Sequence, residues 1–257
     1  MSPEKRVIDD LVILGRAVPE RIRNGRITVC TAGYSEELGF VRIYPTRTSS
    51  PLQRWNIVEV PVERNPQDTR DESWKIQGSR SEWSRLDIKI KVVGTLPRNR
   101  GLNLIANLTE ECVGDLNTVK RSLGIIKPTI EECYFCPEDE FDPLIQTTLF
   151  GPPQAQTKQQ FREIPKIKYR CPNCKNVNPH DQTVLEWGFY EWFRKNPENI
   201  EQVWENAQLV SDKHLVYFFV GNTLKYKNAF LIISVIRLPK DTITKSLIPY
   251  TKITYIE

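Results

Sequence analysis

The chain has 257 residues, of which 39% are hydrophobic and 10% aromatic, enough to build a core and to exclude a disordered protein. Its longest apolar runs, 216–220 and 229–236, are far shorter than the roughly 20 residues of a membrane helix, and its N-terminus lacks the apolar segment of a signal peptide. We therefore expect a cytoplasmic protein of one large or two modest domains, without a membrane partner.

The first half of the chain has the pattern of β-strands. Apolar and polar residues alternate over 27–31, 39–44 and 55–60, and a turn over 35–39 separates the first two segments. The most regular alternation is at 86–94, where lysines occupy one face and apolar residues the other. These patterns predict a small twisted sheet or half-barrel within a β-rich domain over residues 1–127.

Arginine is concentrated in the same half. Residues 1–127 contain 21 Lys and Arg, 15 of them Arg, against 16 acidic residues, whereas residues 128–257 contain 15 Lys and Arg, 4 of them Arg, against 16. Guanidinium groups suit phosphates and aromatic rings suit unstacked bases, so this half is a candidate nucleic-acid surface. The alternative is a solvated face on which the arginines pair with nearby carboxylates. The predicted nucleic-acid contacts are Arg21, Arg23, Arg26, Arg42, Arg47, Arg54, Trp55, Arg70 and Trp74, with Lys168 and Arg170 farther along the chain.

Four cysteines follow in two Cys-x-x-Cys pairs, Cys133 with Cys136 and Cys171 with Cys174. This spacing is typical of a closed, structural Zn²⁺ site, so we predict a four-cysteine zinc-knuckle segment over residues 128–180. The pairs are farther apart than in the usual zinc ribbon, which requires an inserted loop around 150–153. A second hypothesis keeps Cys171 and Cys174 and adds His180 and one further ligand. Cys30 and Cys112 are interpreted as buried thiols.

Helical periodicity appears on both sides of the cysteines. A helix is predicted from Thr109, with Val113, Leu116, Val119 and Leu123 on its inner face and its end at Gly124. Over residues 181–257, the spacing predicts a helix carrying Phe189 and Phe193, a second helix after Asn196-Pro197, and a hairpin of two apolar strands. The expected fold class is therefore α+β: a β-rich part, a central zinc-knuckle segment, and a helix pair with a β-hairpin.

Three functions are compatible with these features. The preferred hypothesis is a zinc-containing protein that binds DNA or RNA as a recognition or accessory subunit, together with other protein subunits and without catalysis of its own. The second is a metal-dependent nuclease, because Asp87-Ile88-Lys89 has the local form of a nuclease strand and Asp68, Asp71 or Glu72 could complete the site. The third is a scaffold that binds only protein.

Overall fold

The computed structural model describes residues 3–22, 25–139 and 157–240. Strand accounts for 45% and helix for 20% of the molecule, so it is mainly β. The predicted α+β class with a zinc-knuckle segment is therefore wrong. None of the helices in the described ranges is both long and apolar enough to cross a membrane.

Strands of the first half close into a five-stranded barrel. In chain order they are β1 (Lys5–Arg16), β2 (Glu20–Arg21), β3 (Ile27–Ser35), β4 (Gly39–Thr46), β5 (Asn56–Arg64), β6 (Ser73–Ile76) and β7 (Lys91–Thr95). The hydrogen-bonded order β1-β3-β4-β6-β5 returns to β1, because β5 also pairs with β1. β2 extends from β3, and β7 extends from β5. The barrel therefore has no open edge between its first and last strands, unlike the half-barrel that the pattern predicts.

The interior of the barrel explains the alternating sequence. Ile8, Leu11 and Ile13 of β1 are buried with Val58, Val60 and Val62 of β5, and Trp74 of β6 belongs to the same core. The three predicted strands over 27–60 and the turn between the first two are confirmed. β1 has no counterpart among the predicted strands, and its register shifts between Ile8 and Leu11, where Asp9 and Asp10 interrupt the apolar pattern.

The predicted strand over 86–94 is wrong in its first half. A 3₁₀ helix occupies Arg80–Lys89, and β7 begins only at Lys91. The carboxylate of Glu82 accepts a hydrogen bond from the backbone N–H of Ser79 (2.8 Å), which favours a helical turn at this point. Leu86 and Ile90 face the core while Ile88 is 78% exposed, so the apolar residues do not share one face of a strand.

In the described ranges, the rest of the chain contains two further sheets and four helices. Its strands are β8 (Thr109–Glu110), β9 (Leu123–Ile126), β10 (Thr129–Pro137), β11 (Glu163–Arg170), β12 (His180–Thr183), β13 (His214–Asn222) and β14 (Phe230–Pro239). The helices are α1 (Arg98–Asn107), α2 (Val113–Thr118), α3 (Trp187–Lys195) and α4 (Gln202–Ala207), and a short 3₁₀ helix spans Lys158–Gln160. One sheet has the order β14-β13-β9-β8 and the other the order β10-β11-β12.

The β13–β14 hairpin joins the two halves of the molecule. Phe219 packs in a core with Phe40 of the barrel and Ile105 of α1, whereas its neighbour Phe218 packs in a second core with Tyr169 of β11. Successive strand residues point to opposite faces, so an apolar strand covered on both sides needs a continuous apolar run. The predicted hairpin is thus confirmed, and its burial on both faces follows from its position between two cores.

The helix predicted from Thr109 is wrong in extent. Thr109 and Glu110 form β8, α2 ends at Thr118, and Leu123 already belongs to β9. Val119 is 59% exposed, so it does not contribute to the inner face. The two later helices are confirmed, with Phe189 and Phe193 of α3 buried and Val203 of α4 buried beside them.

Candidate metal centre and nucleic-acid interface

A cluster of cysteine and histidine side chains forms where three segments of the second half meet. Cys112 precedes α2, and its sulfur accepts a hydrogen bond from the backbone N–H of Gly114. Cys174 lies in the turn that follows β11, where its N–H donates to the carbonyl of Cys171. His180 is the first residue of β12. The backbone thus brings together ligand-type side chains that are up to 68 residues apart in the chain.

The geometry of this cluster suits a tetrahedral ion. Cys112 Sγ lies 3.7 Å from Cys174 Sγ and 3.7 Å from His180 Nε2, and Cys174 Sγ lies 3.2 Å from His180 Nε2. Bonds of about 2.3 Å from zinc to sulfur at tetrahedral angles place two sulfurs about 3.8 Å apart. Among the described residues, Cys112, Cys174 and His180 form the group whose ligand atoms are all close enough to share a metal ion.

Cys171 lies at the same cluster. Its buried thiol interacts with the thiol of Cys112, and its sulfur also interacts with the backbone of Val113. Burial raises the pKa of Cys171 to about 12 and raises the pKa of Cys112 as well. Burial, and then Arg170, lower the pKa of His180, which favours the neutral imidazole that binds metals. A bound divalent cation would stabilise the thiolates that burial alone disfavours.

Cys133 and Cys136 lie outside this cluster. Both belong to β10, where they pair with Ile167 and Ile164 of β11. Residues three apart in a strand project to opposite faces, so these two cysteines do not form the tight turn of a zinc knuckle. Burial, and then Glu132, raise the pKa of Cys133 to about 11. The prediction of a first knuckle therefore fails because the segment is a strand, and the predicted loop around 150–153 lies outside the described residues.

Sequence reasoning missed Cys112 and ranked His180 second. No local signal marks Cys112, because it stands alone in the sequence, 62 residues before Cys174. His180 was detectable, since it follows the second cysteine pair closely.

Several of the predicted nucleic-acid contacts are buried structural residues. Arg42 is 1% exposed, and its guanidinium donates to Ser122 Oγ (3.0 Å) and to the carbonyls of Ser122 (3.0 Å) and Asn222 (3.3 Å). Arg70 donates to both carboxylate oxygens of Asp68 and to the carbonyl of Asn222. Trp74 is 2% exposed in the barrel core. Arg42 and Arg70 thus hold the barrel against the C-terminal sheet, whereas Trp74 packs within the barrel.

Other predicted contacts are held by carboxylates. Arg47 pairs with Asp87 (3.1 Å) and Arg54 with Glu186 (3.1 Å), while Lys168 pairs with Glu132 (2.7 Å) and Arg170 with Glu131 (2.6 Å). Trp55 is half-buried and packs beside Gly101 at the barrel–α1 core. Arg21 is exposed on β2, and Arg23 lies outside the described residues. The predicted nucleic-acid contacts therefore lie in different parts of the molecule.

Arg26 lies in an open groove on the side of the barrel, which we call the barrel groove. Its guanidinium carbon lies 5.7 Å from the centre of the Trp83 ring. The groove has a volume of about 910 Å³, and the residues that line it include Tyr44, Asn65, Gln67 and Lys75. Two half-buried aromatic rings, a guanidinium and two amides therefore face one continuous space. Both rings belong to the arginine-rich first half of the chain.

The acidic residues of the nuclease hypothesis do not converge. Asp87 lies in the 3₁₀ helix, not in a strand, and its Oδ2 accepts from Ser49 (2.6 Å) and Arg47 (3.1 Å). Asp68 is bound by Arg70, as described above. The described residues therefore contain no carboxylate group of metal-site geometry around Asp87.

Comparison with known protein families divides the chain near the same place as the fold. Residues 8–105 match the family described as Domain of unknown function (DUF8758). Residues 114–253, more than half of the chain, match the family described as Domain of unknown function (DUF8757). The chain belongs to the DUF8757 family. Comparisons with curated proteins and with solved structures gave no match.

The DUF8757 segment contains most of the cysteine–histidine cluster. Cys171, Cys174 and His180 lie within it, whereas Cys112 lies just before its first residue, between the two matched segments. The DUF8758 segment covers the barrel strands and most of α1. A metal at the cluster would therefore attach the connection between the two segments to the DUF8757 part.

Proposed function

We propose that this protein is a zinc-containing nucleic-acid-binding protein that acts as a recognition subunit and has no catalytic activity of its own. The observation that carries the proposal is the barrel groove, where Trp83 and Tyr44 face the same space as Arg26. Aromatic rings stack on unpaired bases whatever their identity, and a guanidinium attracts the phosphate beside them. The proposed ligand is a single strand of DNA or RNA.

The groove supplies more than charge. Asn65, Gln67 and Ser79 offer hydrogen-bond donors and acceptors along its wall, as base edges require. Lys75 is held by Glu63 at 2.8 Å. Arg26, beside the Trp83 ring, is the cation proposed to contact phosphate. With so few cations, stacking would contribute more of the affinity than counterion release, and we expect a shallow salt dependence.

Zinc is proposed as a structural element of the same protein. Cys112, Cys171, Cys174 and His180 would supply four ligands of the types that zinc prefers, leaving no coordination position for a substrate. The support is the close approach of Cys112, Cys174 and His180, with the Cys171 thiol beside Cys112. The ion would hold β12 and the turn after β11 to the segment before α2.

The test is titration of labelled single-stranded DNA and RNA with zinc-loaded protein, read by fluorescence anisotropy at several salt concentrations with Mg²⁺ present. Removing a stacking ring costs about 1–3 kcal/mol, so Trp83→Ala is expected to weaken binding by about 5- to 150-fold. Arg26→Gln is expected to weaken binding by a smaller factor and to reduce its salt dependence. Arg100→Gln is the matched control, because Arg100 is exposed on α1 outside the groove.

Three outcomes would contradict the proposal. Equal losses in Arg26→Gln and Arg100→Gln would indicate nonspecific charge attraction. Shortened strands on a denaturing gel would indicate a nuclease. Absence of binding at low salt would favour the protein-binding scaffold.

A further inference from the structure

A second cleft lies between the barrel and the C-terminal part, and we call it the junction cleft. Its volume is about 640 Å³, within the range of sites for small ligands. Arg16 at the end of β1, Arg54 of the β4–β5 loop, and Trp187 and Arg194 of α3 lie in its wall. None of these residues lines the barrel groove, so the two sites are separate.

Arg16 is the unusual residue of this cleft. Its Nη2 donates to the carbonyls of Thr48 (3.0 Å) and Arg47 (3.4 Å), and its guanidinium carbon lies 4.5 Å from the centre of the Trp187 ring. Its buried Nε has no hydrogen-bond partner among the described residues. A buried donor without a partner costs free energy, so the fold holds this guanidinium in the cleft wall at an energetic cost.

The charge of Arg16 is also poorly compensated. Burial lowers the pKa of Arg16 to about 10, and Asp87 only partly reverses this effect. The Asp87 Oδ2 is already bound to Arg47 and Ser49. Within the described ranges, no carboxylate lies at salt-bridge distance from Arg16. Hydrogen bonds from a charged guanidinium to an anionic oxygen are stronger than those between neutral groups, so an anion would compensate this charge.

Two further arginines are oriented toward the same space. Glu186 holds Arg54 (3.1 Å), and Glu191 holds Arg194 (2.8 Å). A guanidinium has five N–H donors, and the contacts of each of these side chains among the described residues use three or fewer. The two glutamates neutralise their partners, so the net positive charge of the cleft comes from Arg16.

We propose that the junction cleft binds the phosphate group of a small phosphorylated ligand, of about the size of a mononucleotide. Arg16 supplies the uncompensated charge, and Arg54 and Arg194 supply further donors of fixed orientation. A phosphate accepts several N–H groups at once, which matches this arrangement better than a chloride ion does. The cleft volume leaves room for a sugar and a base beside the phosphate. This inference does not depend on nucleic-acid binding in the barrel groove.

The experiment uses the full-length zinc-loaded protein with inorganic phosphate and AMP as probes, and adenosine as the probe without phosphate. Binding is measured by isothermal titration calorimetry and by the intrinsic tryptophan fluorescence, because Trp187 lies in the cleft. AMP and phosphate are expected to bind, adenosine at least 10-fold more weakly than AMP. Arg16→Gln is expected to weaken AMP binding at least 10-fold, and Arg100→Gln to leave it unchanged.

Two further variants keep this test decisive. Arg194→Gln changes a less buried side chain of the cleft and is expected to weaken AMP binding even if Arg16→Gln does not fold. Trp83→Ala in the barrel groove is expected to bind inorganic phosphate normally, because phosphate has no base to stack on this ring, and this readout separates the proposal from the proposed function. Absence of binding by both phosphate and AMP, equal affinity for AMP and adenosine, or full AMP binding by both cleft variants would overturn the proposal.

Discussion

Buried arginines show why an arginine-rich sequence does not by itself locate a nucleic-acid surface. Arg42 and Arg70 come from β4 and from the loop before β6, yet both donate to the carbonyl of Asn222 at the end of β13. Their charges join two parts of the fold instead of facing solvent. Arg26, which the sequence cannot separate from them, keeps its guanidinium beside a ring in an open groove.

Arg42 gives a test at the residue scale. Arg42→Met removes the three hydrogen bonds that the buried guanidinium donates to Ser122 Oγ and to the carbonyls of Ser122 and Asn222, and leaves each carbonyl with one remaining donor, the Asn222 N–H and Arg70 respectively. We expect the free energy of unfolding to fall by about 3 kcal/mol or more, measured by urea denaturation. The control is Arg98→Met, because Arg98 is exposed on α1. This variant should change the free energy of unfolding by less than about 0.5 kcal/mol.

The same variant also tests the nucleic-acid role of Arg42. At a temperature where Arg42→Met remains folded, its affinity for single strands should equal that of the parent protein. A stable Arg42→Met protein that has lost its affinity for single strands would show that Arg42 belongs to the binding surface.

At the scale of elements, closure of the barrel depends on β5, which pairs with β1, β6 and β7. Glu63 of β5 is opposite Lys5 of β1 and Lys75 of β6, and both lysines reach its carboxylate, at 3.8 and 2.8 Å. The hydrogen bond from Lys75 holds the pKa of Glu63 below its usual value, against the effect of burial. One carboxylate thus links three strands of the barrel.

This pKa predicts acid sensitivity with a definite sign. A carboxyl group whose pKa is lower in the folded state stabilises the fold above its unfolded pKa of about 4.3, and loses this contribution as the pH falls through the folded-state pKa. Glu63→Gln should therefore cost about 1 kcal/mol at pH 7, and the cost should shrink below about pH 4. Urea denaturation of both proteins from pH 3 to pH 7 measures the difference between their free energies of unfolding. A difference that stays constant across that range would contradict the prediction.

At the scale of the whole molecule, the cysteine–histidine cluster and the β13–β14 hairpin both connect distant parts of the chain. Cys112 follows the α1–β8 region beside the barrel, whereas Cys174 and His180 border the three-stranded sheet. An ion bound there would hold these parts together, and structural zinc sites contribute about 10–16 kcal/mol of apparent binding free energy in small domains. Loss of the metal should therefore loosen the second half of the molecule before the barrel.

The cysteines provide matched variants for this prediction. Cys112→Ser should lose most of the bound zinc and lower the melting temperature, whereas Cys133→Ser should keep a zinc content of one per chain, measured by elemental analysis. In the zinc-loaded protein, Cys112, Cys171 and Cys174 should resist alkylation until a chelator is added. Cys133 and Cys136 should react before the chelator is added, and protection of these two by zinc as strong as that of Cys112, Cys171 and Cys174 would contradict the cluster described here.

Local pattern was sufficient for several elements of the fold. The alternation of β3, β4 and β5, the β13–β14 hairpin and the apolar stripe of α3 each reflect burial of a face that the strand or helix period defines. The segment 86–94 has the same kind of pattern but becomes a 3₁₀ helix in its first half, because a bond between Ser79 and Glu82 outside it favours a helical turn. Periodicity therefore predicts elements well where no neighbouring contact competes.

The sequence alone determined the strand-rich first half, the doubly buried hairpin and the presence of a cysteine pair with a nearby histidine. Only the tertiary structure decided that β5 returns to β1, that Cys112 joins the cluster in place of Cys133 and Cys136, and which arginines are buried. The reason is physical: hydrophobic periodicity is a property of neighbouring residues, whereas barrel closure, ligand sets and ion pairs depend on residues brought together from up to 181 positions apart.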